Sequence, residues 1–336
     1  MLDALILGME VSGRIGNAYR TSGPNTYFLP TTIVGGFGAT AASCRLLGLD
    51  VDQTVDALGI YYAQTSGNRQ ALIEQKPTKR TQPGFAVRSA MWSACLAKRG
   101  LTGAEEAFEG AGGLFGLYTG EKCPPIEMFS GPLDAFHIET ITIKRFPTCG
   151  SQQTAMLAAL KIASEHKLRP EDIQTVEIFL APGGDELVGR AFVMTQDPQI
   201  DAQFCAPYGV ALALLRGRVL LSDITNEQIQ KDIEVSQLAE RIIQLNEWPE
   251  PIEAWEQAVR VTTTDGRTLS AVAHKRRDIF NPDLVTDENV ERKFRECVEF
   301  AGVCSETEAS EIVQSMRAFD QIDDVSAFVV GSLVFQ

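Results

Sequence analysis

The sequence predicts an α+β protein that is predominantly α-helical. In the first hundred residues, apolar side chains recur with helical spacing, as in the segments 2–11, 52–63 and 86–99. Alternating patterns typical of strands follow at 172–181 and 258–274. We therefore expect an all-helical first part and a mixed second part.

The first predicted helix begins at the start of the chain. No capping residue precedes segment 2–11, and Arg14-Ile15-Gly16 marks its expected end. The basic residues that open a signal peptide are absent here, so we expect the chain to start inside a domain. Ser22-Gly23-Pro24-Asn25 then predicts a turn.

Three glycines, Gly35, Gly36 and Gly38, come before a small-residue helix predicted at 39–48. Glycines in front of a helix also occur in dinucleotide-binding loops. Here the G-x-G-x-x-G spacing is not met and no predicted strand comes before it. We therefore expect these glycines to allow close packing of helices.

Glycines between 110 and 120 indicate the boundary between the two parts. Beyond it, a strand is predicted at 137–144, a helix at 154–163 and a further helix at 202–216. Asp265-Gly266 predicts a type I′ turn in the hairpin at 258–274.

Capping residues define the helices that close the chain. Residues 222–227 predict a capped helix start, Thr286 is expected to cap a helix at 290–298, and a last helix is expected at 306–316.

Composition excludes several classes of partner. The 336 residues carry a formal charge of −14, so nucleic acid and anionic membrane surfaces are not expected partners. No uninterrupted apolar stretch approaches the length of a membrane span. The seven cysteines form no C-x-x-C pair and the three histidines lack metal-ligand spacing, which predicts reduced thiols in the cytoplasm and no metal site.

Two basic segments stand out in this acidic chain. Lys144-Arg145-Phe146-Pro147 lies between a predicted strand and a predicted helix, and Lys76, Lys79 and Arg80 precede the helix predicted at 86–99. Cations followed by the free N–H groups of a helix start favour an anion. Taken alone, the first segment is equally compatible with a solvated surface loop, and the second favours such a loop.

Several short motifs follow one another in a particular order along the chain. The set comprises Gly8-Met9-Glu10-Val11 with Arg14-Ile15-Gly16, Pro30-Thr31 with Gly38-Ala39-Thr40, Ser66-Gly67, Thr78-Lys79-Arg80 with Pro83-Gly84, Lys144-Arg145-Phe146-Pro147, Asp201-Ala202-Gln203-Phe204 with Pro207-Tyr208, and Asn281-Pro282 with Lys293-Phe294. This ordered set resembles the MmgE/PrpD family, the 2-methylcitrate dehydratase and aconitate decarboxylase group, over nearly the whole chain.

The resemblance implies a fold and an assembly. A helical domain would be built from residues 1–137 and 285–336, and an α+β lid from residues 138–284. The family is usually a homodimer and needs no metal or organic cofactor. An acidic Asp-Asp-Thr segment that precedes residue 1 in full-length members has no counterpart here, so the chain resembles an N-terminally shortened member.

The resemblance also implies a chemistry. Members remove water or carbon dioxide, or epimerise a carbon, next to a carboxylate of a small di- or tricarboxylic acid. The expected catalytic residues are Lys79, Lys144, Tyr208 and Cys149. The expected substrate-binding residues are Arg80, Arg145, Thr31, Gln82 and Ser66.

Three histidines of the family pattern are replaced. Leu29, Gln82 and Cys149 stand at those positions, and an imidazole that transfers a proton is worth about a hundred- to ten-thousandfold in rate. His137, His166 and His274 are expected to be surface or structural residues.

Three hypotheses therefore stay open. The first is a cofactor-independent lyase, in which Lys79, Tyr208 or Cys149 transfers the proton. The second is an isomerase that epimerises a dicarboxylate and needs no acid for a leaving group. The third is an inactive fragment or pseudoenzyme that keeps the fold and the dimer surface.

Overall fold

The computed structural model describes residues 1–21, 27–124, 136–180 and 185–332. The chain divides into two compact units. The first contains Met1–Ile141 and Phe319–Gly331, and the second contains Thr142–Ala318 together with the end of the chain. The predicted domain boundaries at residues 137 and 284 stay predictions, and the turn predicted at 22–25 lies outside the described residues.

The regular secondary structure in the described part of the first unit is helical, apart from an isolated bridge between Phe28 and Asn68. Its α-helices up to residue 141 are Leu2–Thr21, Pro30–Leu47, Val51–Tyr62, Gln70–Ile73, Gln82–Lys98 and Leu114–Thr119. Its 3-10 turns are Pro77–Arg80, His137–Thr140 and Phe319–Gln321, and Val325–Ser332 is the last helix described in the chain.

Local sequence explains where these helices start. Asp50 accepts a hydrogen bond from the backbone N–H of Gln53 and donates its own N–H to the Gln53 side chain, which forms a capping box. Pro30 occupies the first turn of the helix Pro30–Leu47, where its missing N–H costs no hydrogen bond. That helix begins nine residues before the predicted segment 39–48.

Two of the three predicted glycines, Gly36 and Gly38, allow helices of the first unit to pack closely, whereas a Cβ on Gly35 would meet no atom of the described residues within 4 Å. A Cβ on Gly36 would lie 1.7 Å from the hydroxyl oxygen of Tyr61, and one on Gly38 would lie 2.2 Å from the carbonyl oxygen of Gly8. The ring of Tyr61 packs against Phe37 with 4.9 Å between centroids. The core of this unit therefore depends on the small residues of one helix.

The second unit combines helices with a sheet. Its described α-helices are Gln153–Glu165, Asp185–Val188, Pro198–Gln203, Ala206–Arg216, Asn226–Lys231, Ile233–Glu240, Asp287–Ala301 and Glu306–Arg317. Its shorter helical turns are Pro170–Asp172, Ser222–Ile224, the π-helical Lys275–Ile279 and Pro282–Leu284.

Four strands of the described chain form one mixed sheet in the order β2-β1-β3-β4. They are β1 (Ile173–Phe179), β2 (Ile243–Leu245), β3 (Glu256–Thr263) and β4 (Thr268–His274). β1 pairs parallel with β2 and antiparallel with β3, and β3 pairs antiparallel with β4. Helix Gln153–Glu165 packs on β3 and β4. The predicted α+β, predominantly α fold is confirmed.

The strand predicted at 137–144 is wrong. His137–Thr140 is a 3-10 turn, and residues 141–144 pair with no strand of the described chain. The backbone N–H of His137 donates to the Glu10 carboxylate at 2.6 Å, and the same carboxylate forms an ion pair with Arg14. This buried carboxylate anchors the segment in a turn, so the alternation of isoleucines does not produce a strand.

The hairpin at 258–274 is confirmed, but its turn is not type I′. Gly266 has a φ of 88°, whereas Asp265 does not have a positive φ, and a type I′ turn needs both. The N–H of Gly266 donates to the Thr263 carbonyl, and the N–H of Thr263 donates to Arg267. Asp265 instead accepts a hydrogen bond from the Thr263 hydroxyl.

No helix in the described part of the chain combines the length and apolar character that crossing a membrane requires.

Candidate functional site

The basic segment of the second unit is an exposed turn held by a buried glutamine. Lys144 and Arg145 are exposed. Gln153, the first residue of its helix, is fully buried and accepts the backbone N–H of Arg145 at 3.1 Å and of Phe146 at 3.4 Å. Its amide nitrogen donates to the carbonyls of Phe146 and Thr148. A single side chain therefore fixes the backbone that carries both cations.

A second buried glutamine fixes the start of the same helix. Gln257, on β3, accepts the N–H of Ala155 and donates to the carbonyl of Ser151, each at 2.9 Å. The turn is thus connected through the helix start to the sheet. The free N–H groups of a helix start favour negative charge.

Cys149 lies in the same turn, where the resemblance implies a catalytic group. Its side chain is half-buried and its N–H donates to the carbonyl of Gln203 at 2.9 Å. Beside it, a Cβ on Gly150 would lie 3.2 Å from the ring of Phe280 and 3.9 Å from Cε of Lys144. The turn therefore brings Lys144, Arg145 and Cys149 together.

Tyr208 is enclosed by the core of the second unit. It is fully buried, its ring lies 4.8 Å from that of Phe192, and its hydroxyl has no hydrogen-bond partner among the described residues. Burial, together with the carboxylates of Asp232 and Asp223, raises the pKa of Tyr208 above its ordinary value. Tyr208 is therefore a neutral phenol at physiological pH.

The basic segment of the first unit forms a short helical turn. Lys79 is half-buried and Arg80 is exposed in the 3-10 turn Pro77–Arg80. Although the Arg80 side chain is exposed overall, desolvation of its guanidinium by nearby protein atoms lowers its pKa from the ordinary value. A guanidinium nevertheless stays charged at neutral pH. The turn leads directly into the helix Gln82–Lys98.

The side chain of Gln82 forms two hydrogen bonds to a neighbouring loop. Its side-chain oxygen accepts the N–H of Asn68, and its amide nitrogen donates to the carbonyl of Asn68, each at 3.0 Å. Gln82 is buried. These bonds give Gln82 a structural role, and its predicted contact with a substrate stays a prediction.

The segments that contain Thr31 and Ser66 are joined by contacts of their neighbouring residues. The N–H of Leu29 donates to the carbonyl of Gly67 at 3.2 Å, which joins the start of helix Pro30–Leu47 to the loop that Gln82 clasps. Gly67 has a φ of 134°, and a Cβ there would lie 2.7 Å from Cβ of Thr32. Thr31 and Ser66 are both exposed. The first unit therefore gathers Thr31, Ser66 and Gln82 beside two helix starts.

The histidines have structural partners. His137 joins Glu10 through its backbone, His166 lies 3.9 Å from the Glu165 carboxylate, and Nδ1 of His274 accepts the N–H of Arg277. Within the described residues, no cluster of three or more His, Cys, Asp or Glu side chains could hold a metal ion.

Sequence reasoning missed the residues that hold the basic turn. Gln153 and Gln257 carry no charge, and their partners are backbone atoms that only the fold brings near. The one available signal was the polar pair Gln152-Gln153 at the start of an otherwise apolar helix.

The fold and site define a protein with a helical unit and an α+β unit, each of which carries a cationic turn beside a helix start. Family models for the MmgE/PrpD N-terminal domain and the MmgE/PrpD C-terminal domain match residues 1–127 and 146–319. The chain belongs to the MmgE/PrpD family.

Relatives with named activities are distant in sequence. A cis-aconitate decarboxylase-like protein of Aspergillus oryzae is 26% identical, and the match covers 99% of this chain and 71% of the relative. A cis-aconitate decarboxylase of Aspergillus terreus is 25% identical over 96% of this chain and 68% of the relative. A mitochondrial 2-methylcitrate dehydratase of Yarrowia lipolytica is 24% identical over 81% of this chain and 53% of the relative.

Proposed function

We propose that the protein is a cofactor-independent lyase of the 2-methylcitrate dehydratase kind. It would take a proton from a carbon next to a carboxylate of a small di- or tricarboxylic acid and expel hydroxide from the neighbouring carbon. The observation that supports this most is the turn carrying Lys144 and Arg145, which Gln153 holds at the start of a helix. The matched relatives, named as decarboxylases and a dehydratase, support the same class of reaction.

Binding an anionic carboxylic acid requires positive charge at the binding site. The chain carries a net charge of −14, so an anion is attracted only where cations are concentrated. Exposed Arg145 can accept a carboxylate in a bidentate pair, and Lys144 adds a point charge beside it. In the proposed site Lys79 and Arg80 supply a second set of cations. The convergence of Lys79 and Lys144 on one ligand is part of the proposal.

The proposed steps balance without a co-reactant. A base removes the proton next to the carboxylate, and the cations stabilise the enediolate charge that develops. The electron pair then forms the carbon–carbon double bond as the carbon–oxygen bond breaks, and an acid protonates the departing hydroxide to water.

The replaced histidines limit which groups can transfer protons. Leu29 is buried and apolar, and both ends of the Gln82 amide are bonded to Asn68. We assign the base to Lys79 or to the half-buried Cys149. We assign the acid to Tyr208, which keeps its proton at neutral pH. Burial raises its pKa and so weakens it as a proton donor, and its hydroxyl would have to become accessible to act.

Epimerisation of a dicarboxylate is the second candidate. The same proton abstraction applies, and the proton returns to the opposite face, so no leaving group has to be protonated. Leu29, Gln82 and Cys149 stand where the family pattern has histidines, which favours a reaction that needs fewer acids. A pseudoenzyme would keep the turns without turnover.

We also propose that the protein is a cytoplasmic homodimer. All seven cysteines, each in the described part of the chain, are free thiols, as a reducing compartment allows. Phe85 and Trp92 are 49% and 60% exposed on the helix Gln82–Lys98, which is apolar surface of the kind a subunit interface covers. Light scattering after gel filtration would measure the mass.

Incubation in deuterium oxide separates the candidates. The protein is mixed with 2-methylcitrate, citrate, cis-aconitate or iminodisuccinate, and the products are followed by NMR. Alkene or carbon dioxide indicates a lyase, whereas deuterium uptake with inversion indicates an isomerase. No change with any of the four acids would contradict the proposal.

A further inference from the structure

A lysine far away in sequence contacts the backbone of the basic turn. Lys293, on the helix Asp287–Ala301, donates a hydrogen bond from Nζ to the carbonyl oxygen of Lys144. Its side chain is half-buried. The bond connects the helix Asp287–Ala301 to the backbone of the basic turn.

Lys293 binds a part of the turn that Gln153 does not bind. Gln153 holds the backbone of Arg145, Phe146 and Thr148, whereas Lys293 holds the carbonyl of Lys144 itself. The ammonium of Lys144 in turn donates to the carbonyl of Thr148 at 3.3 Å. The direction in which the Lys144 side chain leaves the backbone therefore depends on Lys293.

Lys293 also concentrates positive charge at the turn. A cavity of about 310 Å³ is lined by four cationic residues, Lys144, Arg145, Arg292 and Lys293, and by two carboxylates, Asp278 and Glu296. Burial, and to a smaller extent the Lys144 ammonium, lower the pKa of Lys293, while Cys297 and Glu296 act in the opposite direction. Placing two ammonium groups side by side is unfavourable until an anion binds.

From this geometry we infer that Lys293 is a positioning residue that holds the Lys144–Arg145 turn in the orientation needed to bind a carboxylate. This inference rests on the proposed function. The residue acts through the backbone of the turn and does not need to touch the substrate.

Three variants test the inference. Lys293→Met keeps the length of the side chain and loses the donor, and Lys293→Arg keeps a cationic donor. Lys231→Met is the matched control, since Lys231 is exposed in the same unit and its ammonium pairs with Glu227 on its own helix. Each variant is compared with the wild type for kcat and KM on the acid that the wild type turns over, and for hydrogen exchange of the segment 144–149.

We expect Lys293→Met to lower kcat/KM by about tenfold to a hundredfold, the loss associated with a misplaced binding group. The loss should appear mainly in KM if the turn binds the ground state. Amides of segment 144–149 should exchange faster in Lys293→Met than in the wild type. Lys293→Arg and Lys231→Met should stay close to the wild type in both measurements.

The two readouts separate failure of this inference from failure of the proposed function. A wild type without turnover contradicts the proposed function, and the exchange measurement then still decides the role of Lys293. Unchanged exchange in Lys293→Met overturns the inference. Equal losses in the Met and Arg variants overturn it as well, because a cationic donor would then not be what the position requires.

Discussion

The two basic turns are both followed by a buried glutamine, but the two glutamines bind different parts of the chain. Each precedes a helix whose first residue is a buried glutamine, Gln82 in one unit and Gln153 in the other. Gln153 binds the backbone of its own basic turn. Gln82 binds Asn68 in a separate loop instead, and leaves Lys79 and Arg80 in a short 3-10 turn.

The first glutamine of one helix therefore holds its own basic turn, whereas the first glutamine of the other helix holds a separate loop. A fixed backbone positions charges before an anion arrives, so less ordering is needed on binding. The Lys144–Arg145 turn meets that requirement within its own unit. The Gln82 clasp instead secures the loop containing Ser66, next to the start of helix Pro30–Leu47.

Removal of either lysine should have the largest effect. Lys144→Ala and Lys79→Ala are each expected to lower turnover of the substrate acid by at least about tenfold, since each removes charge that stabilises the developing enediolate. Steady-state kinetics measures the effect. Unchanged turnover in both variants would show that the catalytic site lies elsewhere.

Loss of Gln153 should reduce both stability and activity. Gln153→Ala leaves the backbone groups of Arg145, Phe146 and Thr148 without their partner, which we expect to cost about 2–3 kcal/mol in unfolding free energy. Urea denaturation measures the stability, and kcat/KM should fall at temperatures where the variant is folded. A variant that is destabilised but fully active would show that the fixed backbone does not matter for the reaction.

Loss of Gln82 should have a smaller effect on stability. Gln82→Ala removes two hydrogen bonds to Asn68, and we expect it to cost about 1–2 kcal/mol. The comparison with Gln153→Ala in the same urea titration tests whether the hydrogen bonds of Gln153 contribute more to stability than those of Gln82. A larger loss of unfolding free energy in Gln82→Ala than in Gln153→Ala would contradict the expected order of the two effects.

The smallest expected effect is on stability in acid, through Asp278, which lies near the Lys144–Arg145 turn. Hydrogen bonds from Arg277 and from the N–H of His274, together with the charge of Lys161, lower the pKa of Asp278 to about 2 from an ordinary value of 3.8. The native state therefore gains stability from this carboxylate above pH 3.8 and loses it as the pH falls towards 2. Asp278→Asn should make the free energy of unfolding less dependent on pH in that interval, as measured by denaturation at several pH values. An unchanged dependence would mean that other carboxylates control acid unfolding.

Regular patterns in the sequence were sufficient to predict much of the fold. Helical spacing located Val51–Tyr62 and Gln153–Glu165, and strict alternation located β3 and β4. The prediction at 137–144 failed because the buried Glu10 carboxylate, more than a hundred residues away, determines the local backbone. Periodicity carries no information on such a contact.

Local patterns could predict only the charged residues of the candidate site, whereas Tyr208, Cys149, Thr31, Gln82 and Ser66 were expected from the family resemblance alone. Lys79, Arg80, Lys144 and Arg145 were identified because cations next to helix starts form a local pattern. The partners of Gln82, Gln153 and Lys293 are backbone atoms of other segments, which become neighbours only after folding. The contacts of these three residues, one charged and two uncharged, follow from the fold and not from a local sequence pattern.

Citrate binding to four proteins would test most directly whether Lys79 and Lys144 share one ligand. Isothermal titration would compare the wild type, Lys79→Ala, Lys144→Ala and the double variant at low salt. We predict that each single variant weakens binding about tenfold, and that the double variant loses less than the two effects combined, with a coupling of about 0.5–3 kcal/mol. Binding that is unaffected by either substitution, or losses that add without coupling, would contradict a shared carboxylate site.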